Sequence, residues 1–263
     1  MQSDTQDLKD KGLIRISKAI SNAGYMSRRA AEECIMAKKV FVNKVLINTP
    51  AFFVSQHDTI EIEGKTLSKK INSDDGQVVK LFAFYKPTGY IVTEQDEQSR
   101  KTIYKILPKN LGRLIYVGRL DINSEGLLLL TNSGSFAREM SLPKNNLVRT
   151  YRVRAYGFFE DKKIERMSKG VIIDGVSYRP KKLVLERGES FKIGQSSNLW
   201  FHVELTEGKN REIRKIFEHF NLKVNRLIRT SYHNIKLENL RQGEMYEVAP
   251  RKVQKIVQQL MTS

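Results

Sequence analysis

Residues 127–132 read LLLLTN, an uninterrupted apolar run that ends in a polar pair. A strand of this composition is buried on both faces, because neither face offers polar side chains to water. Five further segments show strand alternation or helical spacing: 151–157, 161–170, 178–186, 199–207 and 209–220. The sequence therefore predicts an α+β domain for residues 79–263, with helices packed on a sheet.

Residues 13–68 form a smaller unit with a different pattern. Two short helices are predicted, the first ending at Gly24 and the second N-capped by Ser27, and strand-like alternation follows them. Residues 1–12 are expected to be a disordered tail, and residues 69–78 a polar linker. Six basic residues crowd the helical half: Arg15, Lys18, Arg28, Arg29, Lys38 and Lys39. One-sided positive charge on a small module favours contact with phosphates over an ordinary solvated face.

Lys and Arg total 46 against 29 Asp and Glu, which gives a net charge of +17. Such a charge attracts polyanions, and nucleic acid is favoured over a membrane because no long basic amphipathic helix stands out. The chain has no signal peptide and no membrane-spanning apolar run, so we expect a soluble, cytoplasmic protein. Cys34 is expected to be a small buried hydrophobe, and the histidines are too widely separated to predict a metal site.

The polar loop GRLDINSEG precedes the apolar run and is bounded by Gly118 and Gly126. It contains Asp121, and a carboxylate in a loop between two buried strands is held rigidly at the edge of a core. From spacing alone, an aspartate that caps a turn with its own backbone is the more common explanation.

A helix is predicted within residues 205–220, with Asn210 as its N-cap. Its apolar face consists of Ile213, Ile216, Phe217 and Phe220. Arg214 falls at the border of that face, where a guanidinium can hold a carboxylate, while Arg211 and Lys215 point outward and can meet phosphates. A surface helix of mixed charge explains the pattern equally well.

Tyr151 lies between Arg149 and Arg152 on a predicted strand. An aromatic ring among arginines suits stacking on an unpaired base. A tyrosine half-buried in a sheet is at least as good an explanation of the same pattern.

The N-terminal unit resembles the αL RNA-binding module found in a ribosomal protein and in tyrosyl-tRNA synthetases. The matching residues are R-x-x-x-A-I-x-x-A-G-x-x-S-R-R-x-A-E-E at 15–33, V-F-V-N at 40–43 and D-x-I-x-I-x-G at 58–64. Two glycines usual in the module are replaced by Lys38 and Lys44. If those turns need a positive φ, each lysine costs on the order of 1 kcal/mol.

The whole chain from residue 13 to about residue 250 resembles the pseudouridine synthases that modify bacterial ribosomal RNA. The branch in question carries the αL module at its N-terminus. The matching motifs are Y-K-P-x-G at 85–89, G-R-L-D-x-x-S-x-G-L-L-L-L-T-N at 118–132, T-Y-R-V at 150–153, E-G-K-N-R-E-I-R at 207–214 and V-N-R-L-I-R at 224–229. Among these synthases, the motifs are most similar to those of the members that act on large-subunit rRNA.

This resemblance implies a mixed, mainly antiparallel catalytic sheet and an isomerisation that needs no cofactor and no metal. It implies that Asp121 is the catalytic carboxylate and that Arg214 keeps it ionised and directs it. Tyr151 would stack on the flipped uracil. Arg119 would bind a phosphate or fill the space left by the base.

The expected partner is ribosomal RNA, from the large subunit, bound by a monomeric protein. The expected RNA-binding residues are Arg15, Lys18, Arg28, Arg29, Lys38, Lys39, Arg119, Lys209, Arg211, Lys215 and Arg226. Two alternatives remain open: a non-catalytic RNA-binding or ribosome-assembly protein, and a synthase that acts on small-subunit rRNA. An intact set of Asp121, Tyr151 and Arg214 favours an enzyme.

Overall fold

The computed structural model describes residues 12–67, 78–186 and 196–261. The chain divides into two compact units. The first combines the N-terminal residues up to 79 with 109–115 and 132–135, and the second contains the remaining residues from 80 onward. The predicted tail and linker lie outside the described residues except for Gly12 and Val78, and the predicted domain boundaries stay a prediction.

The first unit is a helical pair followed by short strands. Its helices are α1 (Ile16–Asn22) and α2 (Arg28–Met36). Its strands are β1 (Ile14–Arg15), β2 (Val40–Val42), β3 (Val45–Ile47), β4 (Phe53–Val54), β5 (Ile60–Ile62) and β6 (Lys65–Thr66). Strand β1 pairs with β4, and the other four form an antiparallel sheet in the order β3-β2-β5-β6.

Local signals in the sequence explain this unit. The Ser27 side chain accepts a hydrogen bond from the Ala30 backbone N–H at 3.1 Å, which confirms the predicted N-cap of α2. Cys34 packs against the apolar core of the unit but is only partly buried, so it is less buried than expected. Lys38 and Lys44 have φ values of 59° and 67°, so the two turns do adopt the left-handed conformation in which lysine is strained.

The second unit contains a nine-stranded sheet. The strands are β7 (Leu81–Lys86), β8 (Ile115–Val117), β9 (Glu125–Thr131), β10 (Arg149–Phe158), β13 (Lys182–Leu185), β14 (Ser196–Leu205), β15 (Lys223–Tyr232), β16 (Ile235–Lys236) and β17 (Met245–Glu247). Their order is β13-β14-β10-β15-β9-β7-β17, with β16 beside β15 and β8 beside β9. A separate hairpin joins β11 (Val171–Ile173) to β12 (Val176–Tyr178).

Strand β9 lies near the centre of this sheet and all seven of its residues are buried. It pairs antiparallel with β7 and parallel with β15. The other pairs in the sheet with a defined register are antiparallel, so the predicted mixed, mainly antiparallel sheet is confirmed. Burial on both faces explains why the strand tolerates four consecutive leucines.

Four α-helices follow β9 in the described part of the chain: α3 (Gly134–Ser141), α4 (Asp161–Lys169), α5 (Glu212–His219) and α6 (Pro250–Met261). The apolar face of α5 is buried as predicted, and Phe217 meets Phe201 of β14 edge-on at 5.2 Å between ring centroids. The predicted N-cap Asn210 is wrong. The Glu212 N–H donates to the Lys209 carbonyl, which closes a turn and makes Arg211, at φ 53°, the cap residue.

Candidate active site

Lys86 ends strand β7 and is fully buried. Its Nζ donates to the carbonyls of Pro87 (3.0 Å), Asp121 (3.1 Å) and Ser124 (2.8 Å). Burial lowers the pKa of Lys86 to about 8, although the negative charge of Asp121 opposes that change. The ammonium group therefore anchors both ends of the turn that carries Asp121.

Two further donors complete this anchor. The Gly89 N–H donates to the Ile122 carbonyl at 2.8 Å, and Arg214 Nη2 donates to the Asn123 carbonyl at 2.8 Å. All four carbonyls of residues 121–124 are therefore hydrogen-bonded to other elements of the unit. The backbone of this loop is fixed without any use of the Asp121 side chain.

The carboxylate of Asp121 is partly exposed and has no hydrogen bond or ion pair to any residue that the structure describes. The expected two-point contact from Arg214 is absent, because Arg214 donates to the carbonyls of Val224 (3.2 Å) and Asn123 instead. Burial and the nearby charge of Arg211 lower the pKa of Arg214, and the charge of Asp121 opposes them. Arg214 thus interacts with Asp121 through its charge and through the backbone of the loop.

Tyr151 is related to this loop by a row of residues across the sheet. It pairs with Arg229 on β15, which pairs with Gly126 on β9, which pairs with Lys86 on β7. Neighbouring strands are about 4.8 Å apart, so Tyr151 lies roughly 10 Å from β9. A Cβ on Gly126 would come within 2.4 Å of the Arg229 carbonyl oxygen, so glycine permits this close pairing. The Tyr151 ring is mostly buried, and its hydroxyl has no hydrogen-bond partner among the described residues.

Arg229 is a buried cation that the sequence did not single out. Its Nε donates to the Leu127 carbonyl at 2.6 Å, and its Nη2 has no hydrogen-bond partner among the described residues. It lies between Tyr151 and Gly126 in the row across the sheet. The motif V-N-R-L-I-R contains Arg229. Hydrophobic periodicity does not predict a charged residue in a buried strand, so the pattern gave no reason to select it.

Glu125 begins β9 and is buried within a second network. It accepts hydrogen bonds from Arg226 Nε (2.6 Å), the Tyr85 hydroxyl (2.9 Å) and Gln242 Nε2 (3.0 Å). Burial alone would raise the pKa of Glu125, but the donors outweigh it and lower the pKa. Arg226 was expected to bind RNA, and in the structure its guanidinium is paired with this carboxylate.

Glu212 is another buried acid that was not assigned a role. Neither carboxylate oxygen has a hydrogen-bond partner in the described part of the chain. Burial, together with the charge of Glu207, raises the pKa of Glu212 to about 7. It is the first residue of α5, two positions before Arg214.

The predicted site residues line two separate cavities. One cavity of about 380 Å³ is lined by Asp121 and Arg119 and by residues of the loop that carries Asp96. The other, of about 480 Å³, is lined by Arg211 and Arg214. Tyr151 lines neither cavity. The residues that the sequence predicted to form one site therefore do not line a single pocket in the structure.

The other expected RNA-binding residues of this unit differ in availability. Lys209 donates to the Ser177 carbonyl (2.7 Å) and to Glu207 (2.6 Å), and Lys215 donates to the Tyr178 hydroxyl (2.9 Å). Arg119 and Arg211 are exposed, with no hydrogen-bond partner among the described residues.

In the first unit, five of the expected RNA-binding residues form no ion pair with a described residue: Arg15, Lys18, Arg28, Arg29 and Lys38. Arg15 instead contacts the Phe53 ring at 6.0 Å. Lys39 is the exception, since its ammonium lies 2.7 Å from Glu63.

Sequence comparison identifies the larger unit. A family model described as RNA pseudouridylate synthase matches residues 80–219, and a model described as S4 domain matches residues 14–60. The chain belongs to the RNA pseudouridylate synthase family. It is therefore an RNA pseudouridine synthase, an isomerase, with an S4-type RNA-binding module at its N-terminus. The predicted module type is confirmed.

Similar proteins support this membership along most of the chain. An uncharacterized RNA pseudouridine synthase of Rickettsia bellii is 46% identical over 90% of this chain and 97% of that protein. Ribosomal large subunit pseudouridine synthase B of Yersinia pestis is 37% identical over 85% of this chain and 68% of that protein. A crystal structure of a pseudouridylate synthase shares the fold, with a TM-score of 0.60 and 24% identity over 92% of this chain and 99% of the other.

Within residues 12–67, 78–186 and 196–261, no helix is long and apolar enough to cross a bilayer. The same residues contain no group of three His, Cys, Asp or Glu side chains placed to hold a metal ion. The expectations of no metal and no cofactor stay predictions.

Proposed function

We propose that this enzyme converts a uridine of large-subunit ribosomal RNA into pseudouridine, with Asp121 as its catalytic carboxylate. The observation that carries the proposal is the fixed loop with an unpaired carboxylate. Hydrogen bonds hold the backbone carbonyls of residues 121–124, while the Asp121 side chain stays available to a substrate. Such preorganisation is what a group that acts on a glycosidic bond requires.

The reaction conserves every atom. The bond between uracil N1 and the sugar C1′ breaks, a bond between C5 and C1′ forms, and the proton on C5 is transferred to N1. An ionised carboxylate beside C1′ serves either as nucleophile or as stabiliser of positive charge on the sugar. No oxidant, reductant or energy source enters this balance.

Tyr151 and Arg214 complete the proposed site. Tyr151 would stack on the flipped uracil, and its hydroxyl, which has no hydrogen bond to a described residue, would assist the proton transfer at C5. Arg214 would orient Asp121 through its hydrogen bond to the neighbouring Asn123 carbonyl. A shift of the guanidinium onto the Asp121 carboxylate when RNA binds would supply the two-point contact that the free protein lacks.

The choice of ribosomal RNA is supported by relatives whose names specify the large ribosomal subunit. The S4 module and the expected RNA-binding residues would supply salt-dependent affinity, and the shape of the RNA would supply selectivity. We further propose that the protein acts as a monomer in the cytoplasm, during or after ribosome assembly.

The test compares wild type, Asp121→Asn and Asp174→Asn on unmodified large- and small-subunit rRNA, with pseudouridine mapped by chemical sequencing. Asp174 lies at the turn of the β11–β12 hairpin with φ 49°, a conformation asparagine also tolerates, so it controls for the chemical change. We expect product on large-subunit rRNA from wild type and Asp174→Asn, and a loss of at least about 1000-fold for Asp121→Asn. Activity that survives in Asp121→Asn refutes the catalytic assignment, and product on small-subunit rRNA alone refutes the proposed target.

A further inference from the structure

The strand that carries Tyr151 also presents a second, solvent-facing surface. Along β10, Tyr151, Val153 and Ala155 are buried on the face that α5 covers, since Val153 pairs with Phe201 beneath Phe217. The alternate side chains, those of Arg152, Arg154, Tyr156 and Phe158, lie on the opposite face. Tyr156 and Phe158 are 47% and 43% exposed there. This open face is not the one that carries Tyr151.

Arg152 is held in a fixed position on the open face. Its Nε and Nη2 each donate at 2.8 Å to a different carboxylate oxygen of Glu186. The guanidinium carbon lies 4.2 Å from the centroid of the Trp200 ring, and His202 Nε2 lies 2.9 Å from the same carboxylate. The guanidinium therefore lies over the indole ring, and 42% of the Arg152 side chain remains exposed.

A two-point arginine–carboxylate contact contributes more than the about 0–1 kcal/mol of an ordinary surface ion pair. Stability therefore accounts for the contact with Glu186, but 42% of the Arg152 side chain remains exposed and available to a ligand. An arginine held in place over an aromatic ring can serve as a platform for a nucleic-acid base, since bases stack on guanidinium planes as they do on aromatic rings. The clamp removes the rotational freedom that a free arginine would lose on binding.

Arg154 supplies a positive charge that no carboxylate among the described residues balances, whereas the charge of Arg152 is balanced by Glu186. Arg154 pairs in register with Trp200 on one side and Arg226 on the other, and it is exposed. It has no hydrogen bond or ion pair to a described residue, whereas Arg152 and Arg226 are neutralised by Glu186 and Glu125. An unpaired arginine about one strand spacing from a stacking platform suits the phosphate next to a stacked base.

We propose that this face binds an unpaired stretch of the RNA substrate, with one base stacked on Arg152 over Trp200 and the adjoining phosphate on Arg154. Unpaired RNA is favoured because the bases of a duplex hide their flat faces in the helical stack. The inference rests on the proposed function only in taking RNA as the partner. It adds a contact on the opposite face of the sheet from Tyr151.

The experiment measures binding of a labelled oligonucleotide of about ten uridines, and of a duplex of the same length, as a function of salt. The variants are Arg152→Lys, which keeps the charge and loses the plane, and Arg154→Ala, which loses the charge. Arg251→Ala, an exposed arginine on α6, is the matched control. Circular dichroism and thermal unfolding check that each variant is folded.

For Arg152→Lys we expect about five- to tenfold weaker binding of the single strand with an unchanged salt slope. For Arg154→Ala we expect weaker binding and a slope lower by about 0.7, the value for one phosphate contact on a single strand. Arg251→Ala should bind like wild type. Because Trp200 is the single tryptophan of the chain, its emission should also change when the single strand binds to wild type.

The proposal is overturned if Arg152→Lys binds the single strand as tightly as wild type, or if Trp200 emission does not change at saturating RNA. Either result would favour a protein as the partner of this face. Equal losses for the duplex and the single strand overturn the preference for unpaired RNA. The assay needs no turnover. A wild type that forms no pseudouridine would refute the proposed function and leave this inference standing.

Discussion

The two units of this protein differ in where the basic side chains discussed above lie and in what those side chains contact. In the first unit, Arg28 and Arg29 are exposed and form no ion pair with a described residue. In the second, Lys86 and Arg229 are buried and donate to backbone carbonyls, and Arg226 is paired with the buried Glu125. A net charge of +17 counts all of these residues equally. Only those without an internal partner are free to release counterions from RNA.

The difference follows from what a buried cation needs. An ammonium or guanidinium removed from water must be hydrogen-bonded, and the loop before β9 offers several carbonyls at once. The cation then acts as a structural anchor for the proposed catalytic loop. The first unit has no such loop among its described residues, so its cations stay at the surface.

Replacement of Lys86 by methionine should produce the largest effect. It removes the donor that holds the Asp121 and Ser124 carbonyls, and a displacement of about 1 Å in a catalytic group costs on the order of 100-fold in rate. We expect kcat on unmodified rRNA to fall about 100-fold, with RNA affinity and its salt slope unchanged. Single-turnover kinetics and filter binding measure the two quantities separately.

Lys105→Met is the control for Lys86→Met, since Lys105 is exposed in the same unit. A variant Lys86→Met that keeps its rate but loses salt-dependent affinity would show that Lys86 serves the RNA directly. Lys86 is the clearest example of an anchoring cation, so the distinction between anchoring and RNA-binding cations would then be wrong.

The sequence predicted the elements better than the contacts. The leucine run, the apolar face of α5 and the Ser27 cap each depend on side chains close in sequence, and each was confirmed. The position of the α5 cap was wrong by one residue because a backbone turn at Lys209, not the Asn210 side chain, sets it.

The two buried cations of the proposed site could not be predicted from the sequence. Lys86 and Arg229 interrupt strands whose burial predicts apolar residues. Apart from the adjacent Pro87, their carbonyl partners lie 35 to 102 positions away in the chain. The expected contact of Arg214 with Asp121 is replaced by one with Asn123, two residues further along the same loop. The resemblance named the loop that contains both Asp121 and Asn123, but only tertiary structure shows which atom of the loop Arg214 contacts.

Arg226→Ala should reduce stability more than RNA binding. It leaves the Glu125 carboxylate, 5% exposed, with the Tyr85 hydroxyl and Gln242 as its remaining donors. We expect a loss of about 2 kcal/mol in the free energy of unfolding, below the usual cost of breaking a fully buried pair because Arg226 is half exposed. Urea denaturation measures it, and Arg226→Ala with Glu125→Gln should recover part of the loss. A reduced salt slope with unchanged stability would instead place Arg226 among the RNA-binding cations.

The smallest effects should come from the first unit, and they test the other half of the comparison. Replacing Arg28 and Arg29 together by alanine removes two exposed charges and no side-chain hydrogen bond or ion pair to a described residue. We expect rRNA affinity to fall about three- to tenfold at physiological salt and the salt slope to fall by up to about 1.8, with the unfolding free energy changed by less than about 0.5 kcal/mol. Lys39→Ala is the matched control, because Glu63 already neutralises that ammonium and its loss should change the slope less. If Lys39→Ala weakens binding as much per residue as the double variant, an internal partner does not remove a cation from RNA binding. The assignment of Arg226 and Lys209 would then need the same revision.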